Sequence, residues 1–105
     1  MKIATKEVSA VSLVKEALEK AKKYKDKNIF VSLNEENALK KAEEIDKKIA
    51  QGEKVGRLAG VPYALKDNFL SREGKTTASS HILEPFASPI YSTTGKKLES
   101  EGAIM

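Results

Sequence analysis

Apolar side chains recur at intervals of three and four along two stretches of this chain and alternate along a third. Val14, Ala17, Leu18, Ala21 and Tyr24 share one face of a helix expected over residues 10–25, with Ser9 placed to cap it. Asn28-Ile29-Phe30-Val31-Ser32-Leu33 is too short for a helix and rich in β-branched and aromatic residues, which predicts extended chain. Asn34 then caps a second helix whose apolar face is Ala38, Leu39, Ala42, Ile45 and Ile49, with Glu35 and Glu36 in the first turn and Gly52 just past the end. Glu36 with Lys40, Glu43 with Lys47 and Glu44 with Lys48 are spaced i,i+4 in the favourable order, each pair adding a few tenths of a kcal/mol on a solvent face. Two amphipathic helices in succession can dock on a partner, but at this spacing they read as ordinary core packing.

Beyond Gly52 the period changes to two. Val61, Tyr63 and Leu65 point to one side and Pro62, Ala64 and Lys66 to the other, a short strand with a lysine at its end. Pro62 cannot donate to a ladder, which confines it to the start of the strand or to an edge. Ala64 beside Lys66 leaves space for a group to approach the amine. The stretch Ser71 to Ser80 is rich in hydroxyls and charge and reads as a solvated turn, and Pro85 and Pro89 bracket an irregular segment containing Phe86. Ser92 or Thr93 opens a short helix that ends near Gly102. Gly95 inside that helix costs about 1 kcal/mol relative to alanine, so the helix is expected to be loosely held. Ala103-Ile104-Met105 begins a buried strand, which the sequence leaves unpaired at its end. The expected organisation is one partial α/β domain: residues 1–52 form two helices with an extended link, and residues 53–105 form the strand bearing Lys66, the hydroxyl-rich loop, the short helix and the start of a further strand.

Composition narrows the function classes. A chain of 105 residues supports one domain with a modest core, which works against a deep enclosed pocket. The absence of cysteine excludes disulfides, thiolate metal sites and a cysteine nucleophile, and it fits a reducing compartment. No run approaches the roughly 20 apolar residues of a membrane span, and Met1 to Glu7 lacks the apolar stretch of a leader, so a soluble cytoplasmic protein is expected. The net charge of +4 is spread thinly: residues 1–50 carry 12 basic and 9 acidic groups and the remainder 7 and 6. The basic groups are 17 lysines and 2 arginines, whereas base reading and bidentate phosphate contacts favour arginine. Lys22, Lys23, Lys25 and Lys27 cluster where cations complement a helix C-terminus, a solvated helix end in preference to a nucleic-acid contact.

The candidate chemistry lies in Gly56-Arg57-Leu58-Ala59-Gly60-Val61-Pro62-Tyr63-Ala64-Leu65-Lys66-Asp67-Asn68. Taken alone, a lysine there serves a surface ion pair, with Asp67 as the adjacent mate. This segment, with Lys75-Thr76-Thr77-Ala78-Ser79-Ser80-His81-Ile82-Leu83-Glu84-Pro85-Phe86 and Lys97-Leu98-Glu99-Ser100-Glu101-Gly102-Ala103-Ile104, resembles the amidase signature family. The Thr-Thr-Ala-Ser-Ser-His-Ile-Leu-Glu block is most similar to the branch formed by the A subunits of tRNA-dependent amidotransferases.

The resemblance implies a mixed sheet flanked by helices, of which this chain holds the opening helices and first strands. It implies a relay of a serine nucleophile, a second serine preceded by a cis peptide, and a lysine that maps onto Lys66. A lysine that takes a proton must be neutral, so its pKa has to fall well below the roughly 10.4 of a free side chain through desolvation and neighbouring donors. The nucleophile would attack the side-chain amide of glutamine to give an acyl-enzyme and ammonia. The implied partners are the B and C subunits and, through the complex, misacylated tRNA. No cofactor is implied for this chain; ATP and magnesium belong to another subunit of the complete complex. Both serines sit in a Gly- and Ser-rich segment of the family, and the glycines here, at 52, 56, 60, 74, 95 and 102, form no such run. The 105 residues alone are therefore expected to lack activity. Ser79 and Ser80 match the family's hydroxyl-rich loop and neither catalytic serine, and His81 is expected to make a structural hydrogen bond. Two other readings remain open at this stage: a non-catalytic module that docks on the partner subunits, and a small basic nucleic-acid-binding protein.

Overall fold

The computed structural model describes residues 7–105; of the N-terminal stretch discussed above, Met1 to Lys6 lie outside the described residues. Its backbone is built from α1 (Ala10–Lys23), α2 (Glu35–Ala50) and α3 (Thr93–Ser100), with short 3-10 turns at Lys25–Lys27 and His81–Leu83. The helix expected over 10–25 is α1, and Ser9 caps it: its hydroxyl accepts the N–H of Ser12 at 3.0 Å. The main cap comes from elsewhere. Asp46, on α2, accepts the N–H groups of Ala10 at 2.7 Å and Val11 at 3.1 Å through its two carboxylate oxygens. Those are two of the donors a helix start leaves without partners, and a carboxylate there also meets the positive end of the dipole, together worth about 1–2 kcal/mol.

This cap fixes α1 across α2, and small residues let the helices approach. Ala10, Val14, Ala38, Ala42, Ile49 and Ile104 form the buried core, with Leu18, Leu39 and Ile45 partly buried around it. Most of the buried side chains are alanines, so Val14 and Ile104 dominate the core, each worth about 1.5–3 kcal/mol of burial. Asn34 stands at the head of α2 but does not cap it, contrary to expectation. Its Oδ1 instead accepts the Asn37 amide at 3.2 Å, and its φ of −100° and ψ of 49° lie outside the extended region that capping favours. None of the three i,i+4 pairs expected along α2 closes within 4 Å; Glu16 and Lys20 on α1, at 2.6 Å, form that kind of pair instead. All are exposed, where the gain is small enough for side-chain entropy to decide.

Both α2 and α3 end in the same way. Gly52 N–H reaches the Ile49 carbonyl and Glu53 N–H the Lys48 carbonyl, and after α3 Gly102 N–H reaches Glu99 and Ala103 N–H reaches Leu98. This double closure places the residue after the cap in the left-handed region, and Gly102 has φ of +82°. It also turns the chain directly into Ala103-Ile104-Met105.

That segment runs alongside residues 58–63. Leu58 N–H bonds to Glu101, Gly60 N–H to Gly102, Ile104 N–H to Val61, and Tyr63 N–H to Ile104, between 2.8 and 3.0 Å. Among the described residues the only β pairing is a single parallel bridge of Pro62 with Ile104, so the expected strand of residues 61–65 is present as extended chain with one bridge and not as part of a sheet. Pro62 supplies no N–H, and residues 61 and 63 carry the bonds on either side of it. The segment of residues 29–33 likewise makes no ladder, leaving Ile29 and Val31 exposed.

α3 is anchored at its head. Ser92 caps it through Gly95 N–H at 3.2 Å, Ser92 N–H bonds to the Leu70 carbonyl at 2.8 Å, and Gly95 is buried. A Cβ at Gly95 would come within 3.2 Å of the capping hydroxyl. A larger residue here would press on the cap, which the helix propensity of glycine does not reveal.

Gly56 lies closest to neighbouring backbone among the glycines at 52, 56, 74, 95 and 102: a Cβ there would sit 2.3 Å from the Glu101 carbonyl oxygen and 2.6 Å from its Cα. Gly56→Ala therefore forces residues 56–60 away from the end of α3, and we expect it to lower stability by about 2–3 kcal/mol. Urea unfolding of parent and variant checks this through the midpoint.

Candidate functional site

Lys66 follows the bridged segment, three residues after Tyr63, whose N–H bonds to Ile104, and four after Pro62, which bridges to it. It is exposed, and its carbonyl accepts the Phe69 N–H at 3.0 Å, closing a turn over Asp67 and Asn68. Its side chain lines a cleft of about 260 Å³ between α1, residues 30–34 and the 62–66 segment. Val14, Leu18, Phe30, Tyr63 and Ile104 give this cleft apolar walls, and the charged side chains that line it are Lys66, Asp67 and Lys75. Space beside Lys66 thus exists, and Ala64 borders it.

Asp67 is not the mate of Lys66. Its carboxylate is turned to the hydroxyl-rich loop, where Oδ1 accepts Thr77 N–H at 2.9 Å and Oδ2 accepts the Thr77 hydroxyl. The Thr77 hydroxyl, then its N–H, then Ser79 N–H hold the Asp67 carboxyl below its usual range. Asp67 is bound to the loop by its backbone as well, since its carbonyl accepts Ala78 N–H at 3.1 Å. Among the described residues Lys66 forms no ion pair.

The loop of residues 71–80 is not a solvated turn: Ser71, Thr76 and Thr77 are each at most 5% exposed. Their hydroxyls substitute for a ladder. Thr76 Oγ1 accepts Ser71 N–H and donates to the Phe69 carbonyl, both at 3.3 Å, and Ser71 Oγ accepts Glu73 N–H at 3.2 Å. Ala78 and Ser79 have φ of 47° and 60°, the left-handed region that costs an L-residue about 1–2 kcal/mol. The bonds around Thr77 hold them there: Ser79 N–H donates to its hydroxyl at 3.2 Å and Ser80 N–H to its carbonyl at 2.8 Å. Ser80 and His81 lead outward, and the His81 ring is exposed, with Nδ1 2.8 Å from Glu84. His81 therefore makes a local surface contact away from the cleft.

A second charged group, which sequence reasoning missed, ties three elements together. Lys41 on α2 contacts Glu73 of the loop and, at 2.6 Å, Glu99 of α3; the Tyr91 hydroxyl donates to Glu73 at 2.8 Å and lies 3.3 Å from Glu99. Burial opposes the charge on Lys41, but hydrogen bonds to Glu73 and Glu99 outweigh it and raise its pKa above the ordinary lysine value. Burial likewise opposes the charge on Glu99, and Lys41 reverses this to leave its carboxyl below the usual range. Burial, then the Glu73 carboxylate, pushes Tyr63 up, and burial with the hydrogen bond to Glu73 pushes Tyr91 up further. The signal was present: Lys41 falls three residues after Ala38 and four before Ile45, at the edge of the apolar face of α2. In the basic cluster at the end of α1, Lys22 pairs with Glu35 at 2.7 Å. No group of three His, Asp or Glu among the described residues is placed to hold a metal ion, and no helix among them is long and apolar enough to cross a membrane.

The family model described as Amidase matches residues 12–105, nearly the whole chain and all the elements above except the head of α1. The chain belongs to the amidase family. This amidase segment is similar to the glutamyl-tRNA(Gln) amidotransferase A subunit 2 of Clostridium acetobutylicum, 50% identical over 78 residues that cover 74% of this chain and 16% of the relative. It is 44% identical over 105 residues to the glutamyl-tRNA(Gln) amidotransferase A subunit of Prochlorococcus marinus, covering 99% of this chain and 22% of that one. Among solved structures, a crystal structure of an amidase superposes with a TM-score of 0.86 at 30% identity, covering 99% of this chain and 24% of the other. The chain thus spans about a fifth of the length of the curated relatives it matches. The family is one of enzymes, and the fold of this chain is that of the corresponding part of a solved amidase.

The charged groups give stability a defined pH dependence. The depressed carboxyls of Glu99 and Asp67 contribute stability that is present above their unfolded pKa values and lost as pH falls through their lower folded values. The raised Lys41 contributes stability that is present below its unfolded value and lost as pH rises through its folded one. Thermal unfolding scanned from neutral pH downward should therefore show the melting temperature falling below about pH 4, and Glu99→Gln should make that fall shallower.

Proposed function

We propose that this chain is the N-terminal part of the glutamine-hydrolysing A subunit of a tRNA-dependent amidotransferase, with Lys66 as the general base of its amidase site. The observation that carries the reading is the identity of 44% to 50% with relatives that bear that subunit's name. The exposed apolar side chains Ile29, Val31, Ile82 and Ile90 support the view that these residues form one face of a larger body, which would cover them. In that body residues 61–65 and 103–105 serve as the first strands of a mixed sheet, extending the bridge of Pro62 with Ile104.

The chemistry follows from the relay. Lys66, which has no ion-pair partner within 4 Å among the described residues, acts in its amine form and takes a proton through one serine from a second, which attacks the glutamine side-chain amide and expels ammonia. Both serines come from a Gly- and Ser-rich segment that these 105 residues do not contain. The assigned setting is the cytoplasm, in complex with the B and C subunits, where the ammonia amidates misacylated tRNA. ATP and magnesium act elsewhere in that complex.

Joining this chain to the remainder of the Prochlorococcus marinus relative yields a full-length enzyme in which the assignment is testable. Lys66→Ala is expected to lower kcat for glutamine hydrolysis by about 10²–10⁴-fold with little change in KM. A variant that keeps parental kcat would exclude Lys66 as the base.

A further inference from the structure

Asp67 adjoins Lys66, and a carboxylate that closes to ion-pair distance favours the charged form of a lysine. A free Asp67 carboxylate would therefore work against proton abstraction by its neighbour. Here both carboxylate oxygens are occupied by one residue, the buried Thr77, through its N–H at 2.9 Å and its hydroxyl. The turn that delivers Thr77 holds Ala78 and Ser79 in the left-handed region, a conformation that the bonds to Thr77 and Asp67 keep in place. The charged side chains that share the cleft with Lys66 are Asp67 and Lys75, and Lys75 carries the same sign as Lys66. With Asp67 held, no carboxylate among the described residues lies within 4 Å of the Lys66 amine.

We propose that Thr77 is a positioning residue for Lys66: by holding the Asp67 carboxylate against the loop, its hydroxyl leaves the Lys66 amine without a counter-ion and available for proton transfer. This deepens the assignment of Lys66 as the base and rests on it. Thr77→Val removes the hydroxyl at nearly constant shape and frees one carboxylate oxygen to turn toward the amine. Thr77→Ser keeps the hydroxyl.

The test uses the joined full-length enzyme and two readouts. The first is the rate at which acetic anhydride acetylates Lys66 at fixed pH, followed by peptide mass spectrometry, since only the neutral amine reacts. The second is the acid limb of the kcat/KM profile for glutamine. Thr77→Val should slow Lys66 acetylation by about five- to ten-fold, the lower range for a newly adjacent opposite charge, and should move the acid limb to higher pH. Thr77→Ser should label at the parental rate, and adding Asp67→Asn to Thr77→Val should restore the labelling and return the limb.

A purely structural threonine would lower kcat without moving the limb, and Asp67→Asn would not rescue it; that pattern overturns the proposal. Should Thr77→Val fail to fold, Asp67→Asn alone decides. Labelling within two-fold of the parent supports the clamp, and a several-fold rise shows that the carboxylate already governs the amine and overturns it. Retained turnover in Lys66→Ala removes the base assignment and with it the purpose given to Thr77, whereas unchanged labelling in Thr77→Val removes the clamp by itself.

Discussion

The close approach of Gly56 to the backbone of Glu101 is the constraint from which the rest of the site follows. With no side chain at Gly56, the turn over residues 56–60 lies flat on the end of α3, and Leu58 and Gly60 donate to Glu101 and Gly102. That contact sets the register in which Val61 and Tyr63 pair around Ile104. Ile104 is one of the largest fully buried side chains, so the same register that places Lys66 also completes the core under α1 and α2. A backbone contact therefore links the packing of the helices to the position of one amine.

The chain has a thin apolar core and compensates with polar ties between elements distant in sequence. Asp46 caps α1 from 36 residues away, and Lys41 joins α2 to the loop at Glu73 and to α3 at Glu99. Thr77 and Asp67 join the loop to the segment that carries Lys66. Isolated exposed pairs would add little, but these groups are partly buried and each replaces a donor or acceptor that would otherwise lack a partner. The result is a frame that borders the apolar cleft and holds Asp67 on its rim.

What was legible in the sequence divides along the same line. α1 and α2 could be read because Val14, Ala38, Ala42 and Ile49 repeat at helical spacing, and Ser9, Ser92, Gly52 and Gly102 mark ends by local bonding alone. Asn34 carried the same local signal and misled, because Asn37 occupies its side chain. The position of Lys41 at the edge of the apolar face of α2 was legible, but the partners of Asp46, Lys41 and Thr77 were not, since each depends on which residues the tertiary fold brings opposite. The loop of residues 71–80 looked solvated for the same reason: its hydroxyls are polar in composition but satisfy one another in a buried turn. Around Lys66 the sequence placed the lysine at the end of extended chain but paired it with Asp67, the nearer charge along the chain, where the structure commits that carboxylate to Thr77.

The proposed role of Lys66 requires a nucleophile supplied by another segment of the enzyme. Fragment complementation tests this most directly: ammonia release from glutamine is measured for these 105 residues alone, for the remaining segment of the Prochlorococcus marinus relative alone, and for the two mixed. Turnover is expected only in the mixture. Turnover by the 105 residues alone would contradict it, as would a stably associated mixture that releases no ammonia.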